Sequence, residues 1–282
     1  MAESKFIDLG EVRLHYVEEP SPKPVLILLH GFTDSVESYL PILPQLATFT
    51  SVCAVDFRGH GQSSHTPHQY TLRNHVRDVE RFMDSVIDET VFVAGHSMGG
   101  RVAGWLAALL PDKVRAIIIE DTSLDIQPGQ KTPFFTARRD QLIELKSSGK
   151  TVQDLATVIS SEPVPEDTSK TRLDVYGVEG VYRHANQWWA MDIDHFDSVI
   201  EGKSSDGWNN KEILPNIQCP TLFITDNSWT DDEDVQRIQY NLESIKNSKR
   251  VAIDVHNHRV HEMRPREYLH EVERFLQPLI TR

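Results

Sequence analysis

Cysteine is scarce in this chain, which contains two among 282 residues. Cys53 lies in an apolar, strand-like run and Cys219 stands just before another, so we expect two buried free thiols rather than a disulfide. Residues 1–5 also lack the charged-then-apolar pattern of a signal peptide. Free thiols suit a reducing compartment, and these features together predict a cytoplasmic protein.

Long apolar runs and an excess of basic residues are missing as well. No run approaches the roughly 20 apolar residues that cross a bilayer, so we expect no membrane insertion. The formal net charge of −13 argues against nucleic acid as a partner, because no basic stripe is present to neutralise phosphates. The composition is instead typical of a globular protein, and it leaves the oligomeric state open.

The most informative segment covers residues 91–100 and reads Val-Phe-Val-Ala-Gly-His-Ser-Met-Gly-Gly. A short apolar run favours a strand, and residues 101–110 favour a helix that Pro111 stops. This predicts a strand, a sharp turn and a helix with Ser97 at the corner, its hydroxyl standing clear of the sheet. Gly95 and Gly99 then allow strand and helix to cross closely. A buried serine in a glycine-rich turn is the simpler alternative for this motif alone.

Strand patterns alternate with helix patterns over most of the chain. Runs typical of strands occupy residues 6–9, 12–17, 25–29, 51–55, 91–94, 114–119, 220–224 and 250–255. Patterns typical of helices occupy residues 38–48, 72–87, 101–110, 231–245 and 265–279. The predicted fold is α/β, with a mostly parallel central sheet and helices on both faces. Ligands then bind beyond the carboxyl ends of the strands, where the sequence places His30, Asp56, Ser97 and Asp121.

The alternation stops after Thr122. Residues 123–210 contain helical stretches at 134–146 and 151–160 but no run that predicts a buried strand. We therefore expect a helical cap, residues 123–210, inserted after the sixth strand of a core made of residues 1–122 and 211–282. Four cap aromatics either line a substrate pocket or form the cap's own packing: Phe134, Phe135, Trp188 and Trp189.

Four segments in this order resemble the α/β-hydrolase superfamily over nearly the whole chain. They are His30-Gly31-Phe32, Asp56-x-Arg58-Gly59-x-Gly61-x-Ser63, residues 95–100 and residues 258–265. The sharp turn that carries Ser97 is called the nucleophile elbow in this superfamily. Serine at this elbow separates the chain from the similar epoxide hydrolases and haloalkane dehalogenases, which carry Asp there. The resemblance implies that Ser97 is the nucleophile, that His258 is the general base, and that the backbone N–H groups of Phe32 and Met98 form the oxyanion hole. His261 is then a structural neighbour.

The position of the acid departs from the commonest pattern of this superfamily, which places Asp in the turn after the seventh strand as Gly-x-x-Asp. That turn reads Thr225-Asp-Asn-Ser-Trp229 here. One branch of small esterases instead carries the acid after strand six and a Ser after strand seven. Similarity to that branch implies that Asp121 is the acid and Ser228 an auxiliary hydrogen-bond partner, and Asp226 is the alternative acid.

These residues predict a serine esterase that hydrolyses a small or medium carboxylic ester without a cofactor, because a serine hydroxyl needs a base before it attacks. The same triad could act on a C–C, lactone, amide or peracid bond, or the fold could serve as a ligand sensor with vestigial turnover.

Several residues have simpler interpretations. The spacing of His256, His258 and His261 resembles a metal site, but no further carboxylate–histidine pattern completes it, so we expect no metal. Asp56 and Arg58 are expected to pair and shape their loop. Glu120 is expected to point away from the face of Asp121, because neighbouring residues alternate along a strand.

Overall fold

Strands and helices alternate along the chain in the computed structural model, which describes residues 2–126, 133–165, 167–227, 229 and 232–281. The strands in chain order are β1 (Glu3–Asp8), β2 (Arg13–Glu19), β3 (Val25–Leu29), β4 (Ser51–Val55), β5 (Val91–His96), β6 (Val114–Glu120), β7 (Pro163–Val164), β8 (Asp167–Thr171), β9 (Thr221–Thr225) and β10 (Ser248–Ala252). The α-helices are α1 (Leu43–Leu46), α2 (Leu72–Val86), α3 (Met98–Leu109), α4 (Pro133–Ser147), α5 (Val152–Ser160), α6 (Arg172–Ala190), α7 (Asp194–Ile200), α8 (Asn210–Ile213), α9 (Asp232–Ser244), α10 (Val260–Met263) and α11 (Pro265–Ile280).

Eight strands form one sheet in the order β1-β2-β4-β3-β5-β6-β9-β10. β2 runs antiparallel to both β1 and β4, and the other neighbours are parallel. β3, β4 and β9 are buried at every position, which explains their almost continuous apolar sequences. The predicted fold class, a mostly parallel sheet within an α/β protein, is confirmed.

Helices cover both faces of this sheet and enclose two apolar cores. Ile27 and Leu29 of β3 face the core that contains the apolar residues of α2 and α3. Leu26 and Leu28 point to the opposite core, which contains those of α1 and α11. Because side chains alternate along a strand, a run that is apolar at every position supplies both cores.

Two parts of the chain differ from the prediction. The helix expected at residues 38–48 is a 3₁₀ turn at Val36–Ser38 followed by the single turn of α1. Pro41 and Pro44 account for this difference, since proline lacks the N–H that a continuous helix needs. Within the segment expected to contain only helices, β7 and β8 form a small antiparallel hairpin.

The segment between β6 and β9 is mainly helical where it is described. α4 contacts α7 and α5 contacts α6, and the hairpin of β7 and β8 also lies against α6. Gly177 interrupts α6 with a φ of 65°, a conformation that glycine adopts without steric cost. The boundaries predicted for the cap, 123 and 210, stay a prediction.

Two further observations concern the apolar parts of the chain. Cys53 and Cys219 are buried and free, as expected. Among the described residues, no helix is both long enough and apolar enough to span a bilayer.

Candidate active site

Ser97 occupies the sharp turn between β5 and α3. Its φ and ψ are 50° and −114°, a conformation rarely adopted by a residue with a side chain. The two glycines beside it make the crossing possible: a Cβ on Gly95 would lie 2.2 Å from the carbonyl oxygen of Gly99, and one on Gly99 would lie 2.1 Å from that of Leu29. The backbone therefore holds Ser97 at the first turn of α3, on the rim of the sheet.

His258 and Asp121 lie in contact although 137 residues separate them in sequence. Nδ1 of His258 is 2.6 Å from Oδ2 of Asp121, which directly follows β6 and has a φ of 48°. The other carboxylate oxygen accepts hydrogen bonds from Trp229 Nε1 at 2.7 Å and from the backbone N–H of Asp226 at 3.1 Å. Two donors from the turn after β9 thus orient the Asp121 carboxylate toward the imidazole.

The elbow itself also positions His258. The ring of His96, next to Ser97, lies 4.7 Å from the ring of His258, and its Nε2 is 2.7 Å from the His258 carbonyl oxygen. Desolvation lowers the pKa of His258, but the hydrogen bond and charge of Asp121 outweigh it and raise the pKa above its ordinary value. The side chain is 46% exposed and faces the same cavity as Ser97.

The alternative acid, Asp226, is fully buried beside Asp121. Its Oδ2 accepts a hydrogen bond from the backbone N–H of Asn257 at 2.9 Å, so it orients the segment that carries His258. Ser228, predicted as an auxiliary partner, lies outside the described residues.

The two residues predicted to form the oxyanion hole, Phe32 and Met98, line one cavity together with Ser97. Met98 is the first residue of α3, and Phe32 lies in the loop after β3, whose conformation is fixed by a 2.5 Å hydrogen bond from the His60 ring to the Phe32 carbonyl. Within the described part of the chain, neither backbone N–H donates a hydrogen bond. Two donors beside Ser97 are therefore available to an oxygen that develops negative charge.

A cavity of about 610 Å³ opens above these residues. Ser97, His258 and Asp121 line it together with Phe134 and Trp188, and this volume is typical of sites for small organic ligands. Trp189, also predicted to line a pocket, is not among the lining residues; the ammonium of Lys146 lies 5.2 Å from its ring centroid.

Two buried ion pairs lie next to the site. Arg259 pairs with Asp34. Burial alone would raise the pKa of Asp34, but Arg259 and His96 outweigh it and hold this pKa well below its ordinary value. His261 lies 2.8 Å from both carboxylate oxygens of Glu120. Glu120 thus binds His261 and points away from the face of Asp121, as expected from strand alternation. His261 is a structural neighbour of the site.

The pairing predicted between Asp56 and Arg58 is wrong. Asp56 instead binds the His15 ring at 2.7 Å and accepts backbone N–H groups, one from Val36 at 2.8 Å. Arg58 forms a buried two-bond ion pair with Asp78 at 2.6 and 2.7 Å. Each residue shapes the loop after β4 through a different partner, and spacing alone could not reveal this because both partners are distant in sequence.

The histidines that resemble a metal motif do not converge. His258 turns to Asp121 and His261 turns to Glu120. Among the described residues, no group of three or more metal-binding side chains is arranged to hold an ion.

Sequence analysis overlooked three residues of the site. Trp229 ends the turn after β9, and its indole N–H donates a hydrogen bond to the Asp121 carboxylate. Arg101 and Arg237 line the cavity, although neither belongs to a recognised motif. Arg101 could have been noticed because it stands four residues after Ser97, which is one helical turn.

Comparisons with known proteins agree with this architecture. A family model described as alpha/beta hydrolase fold matches residues 24–262. A putative esterase/lipase from Haemophilus influenzae is 24% identical over 274 residues, which cover 94% of this chain and 87% of that protein. The enol-lactonase of Burkholderia xenovorans LB400 superposes with a TM-score of 0.76 at 20% identity, over 97% of this chain and 100% of that one, and so shares its fold.

Some relatives match over a shorter region. A serine hydrolase-like protein from Danio rerio is 36% identical over 132 residues, which cover 46% of this chain and 40% of that protein. The chain spans less than half the length of several curated relatives that it matches, this one among them.

Proposed function

This chain belongs to the α/β-hydrolase fold family, and on that premise we propose that it is a serine hydrolase that cleaves small or medium carboxylic esters. The observation that carries the proposal is the 2.6 Å contact between Asp121 and His258 on the cavity that Ser97 also lines. A nucleophile, a base and an orienting acid on one cavity are the requirements of acyl transfer.

In the proposed mechanism, the Ser97 hydroxyl attacks the ester carbonyl while Nε2 of His258 takes its proton. Asp121 holds the proton on Nδ1, which leaves Nε2 free to act as the base, and it stabilises the imidazolium that forms. The N–H groups of Phe32 and Met98 donate to the developing oxyanion, and each such donor is typically worth about 3 kcal/mol. His258 then protonates the leaving alcohol. In the second half, His258 accepts a proton from water as the water attacks the acyl-enzyme carbonyl, and it returns that proton to Ser97 as the acid leaves.

The nucleophile assignment can be tested with 4-nitrophenyl butyrate and a fluorophosphonate probe. The wild type should release nitrophenolate over many turnovers and take up one label on Ser97. Ser97→Ala should lose both, because no other hydroxyl stands at the elbow. Ser147→Ala, which removes an exposed hydroxyl from the end of α4, is the matched control and should keep both.

The same assay separates the enzyme from the sensor alternative. Continued release of nitrophenolate supports hydrolysis, whereas one stoichiometric burst without further turnover would favour a ligand sensor. Turnover by Ser97→Ala at the wild-type rate would refute the assignment.

A further inference from the structure

Arg101 is a desolvated cation with no counter-ion in the described part of the chain. It lies on α3, one turn beyond Ser97, and lines the cavity above the site. Its Nε is buried without a hydrogen-bond acceptor, and no described residue forms an ion pair with its guanidinium. Leaving a buried donor unsatisfied is unfavourable, and more so when the group is charged.

A second cation stands beside it. Arg237 of α9 lines the same cavity, and its Nε is also buried without a partner. Its other nitrogens reach the Asp125 carbonyl oxygen at 3.1 Å and, at 3.7 Å, the carboxylate of Asp234. Burial first, and then the charge of Arg237, lower the pKa of Arg101 to about 10. Two like charges have therefore been brought together beside the nucleophile.

The remaining arginines of the cavity wall face carboxylates. Arg259 pairs with Asp34 and Glu262. Arg172 lies 3.6 Å from Glu162. The uncompensated positive charge is thus concentrated at Arg101, next to Arg237.

These two arginines stand where two cavities meet. A second cavity of about 240 Å³ shares with the first a wall made of Phe32, Ser97, Arg101, Phe135 and Arg237. Met98, the other predicted oxyanion donor, lines this second cavity as well. An acyl group bound to Ser97 at this junction would have both guanidinium groups within reach of its chain.

We propose that Arg101 and Arg237 bind a carboxylate on the acyl part of the substrate, which makes the preferred substrates half-esters of short dicarboxylic acids. The proposal rests on the serine hydrolase function above and specifies its substrate class. A carboxylate supplies the missing counter-ion, and the planar guanidinium fork matches its two oxygens. The same arrangement disfavours an apolar acyl chain, which would leave the Arg101 guanidinium without a counter-ion.

The test uses two 4-nitrophenyl esters that differ in one group. One is the mono-ester of glutaric acid and the other is 4-nitrophenyl pentanoate, in which a methyl group replaces the carboxylate. The wild type should prefer the glutarate ester in kcat/KM, and Arg101→Met or Arg237→Met should each lower that preference about 10- to 100-fold. Arg101→Lys keeps the charge and should retain part of the preference. Arg266→Met, which removes an exposed arginine of α11, controls for the change in net charge.

Binding provides a readout that does not depend on hydrolysis. Glutarate should bind saturably to Ser97→Ala in calorimetry and fail to bind to Ser97→Ala/Arg101→Met. Equal kcat/KM for the two esters, or an unchanged preference in Arg101→Met, would overturn the proposal. If the wild type hydrolyses neither ester, the serine hydrolase function is refuted, and glutarate binding alone then tests the anion site. Binding to Ser97→Ala that is lost in the double variant supports the anion site. No binding of glutarate to Ser97→Ala refutes it.

Discussion

Asp121 is the residue on which the geometry of the site depends. It follows β6 directly with a positive φ, and its carboxylate links the His258 ring to donors from the turn after β9. Asp226 lies beside it but turns its Oδ2 to the backbone of Asn257. The two carboxylates thus have different partners, and this allows their roles to be separated by experiment.

We expect Asp121→Asn to lower kcat by about 10³- to 10⁴-fold, because an amide that donates to Nδ1 leaves the proton on the wrong nitrogen. The buried partner variant Asp226→Asn should retain far more activity, since it keeps the shape of the side chain and leaves Asp121 in place. Steady-state kinetics on both variants measures the difference. The reverse order, with Asp226→Asn the more damaged, would identify Asp226 as the acid.

The pH profile provides a second test at the same residue. His258 must be neutral to accept a proton, and its pKa is raised by Asp121, so the wild-type kcat/KM should fall on the acid side of a midpoint above 6.5. Asp121→Asn removes the charge and the hydrogen bond that raise the pKa. The acid limb in the pH profile of this variant's residual activity should therefore have its midpoint at a lower pH than that of the wild type. An unchanged midpoint would show that Asp121 does not act on His258.

Among the secondary-structure elements, the crossing of β5 and α3 constrains the molecule most tightly. The backbone of α3 passes so close to β5 and β3 that Gly95 and Gly99 leave no room for a side chain. Gly104, farther along the same helix, differs because a Cβ there would meet the Leu124 side chain at 2.8 Å, which can move. Glycine thus has a different tolerance to substitution at two positions of one helix.

Gly99→Ala should destabilise the protein by about 3 kcal/mol or more, since its Cβ would overlap the rigid carbonyl of Leu29. Gly104→Ala should change the free energy of unfolding by about 1 kcal/mol or less, because the gain in helix propensity offsets the displacement of Leu124. Urea unfolding compares the two. Similar losses in both variants would show that the crossing is less rigid than its geometry indicates.

At the scale of the whole molecule, buried histidines join the sheet to the helical segment above it. His60, His75 and His195 come from the loop after β4, from α2 and from α7, and their rings lie in mutual contact. Nε2 of His75 is 3.4 Å from Nε2 of His195. Burial lowers the pKa of all three, with help from the charges of neighbouring histidines, and that of His60 falls to about 4.

These pKa values predict acid sensitivity well above the range in which carboxylates titrate. Between pH 6.5 and 5 the unfolded chain binds protons that the folded core rejects, so the free energy of unfolding should fall as the pH is lowered. Each proton that the unfolded chain binds and the folded core does not lowers the free energy of unfolding by about 1.4 kcal/mol per pH unit of acidification. Below pH 6.5 the raised pKa values of His258 and His261 add no slope, because both states are then protonated at these residues.

Urea unfolding at several pH values measures this slope. His75→Phe should reduce it, since one non-titrating ring replaces a buried imidazole, whereas His68→Gln should not, because the His68 side chain is 88% exposed. A wild-type free energy of unfolding that stays constant between pH 6.5 and 5 would contradict the prediction.

The sequence by itself determined the features that depend on residues close together along the chain. The positions of the eight strands of the main sheet, the sharp turn at Ser97 and its two obligatory glycines follow from patterns a few residues long, because backbone conformation is set locally. The mostly parallel sheet followed in turn from the alternation of strands and helices. Even the position of Asp121 after a buried strand could be recognised in this way.

Tertiary structure decided which side chains meet. Asp121 and His258 are 137 residues apart, and Trp229 reaches the same carboxylate across 108. Asp56 and Arg58, two residues apart in one motif, bind separate partners, and α9 brings the like charge of Arg237 beside Arg101 of α3. Such contacts depend on how elements pack, and packing brings together residues whose separation along the chain carries no signal of their distance in space.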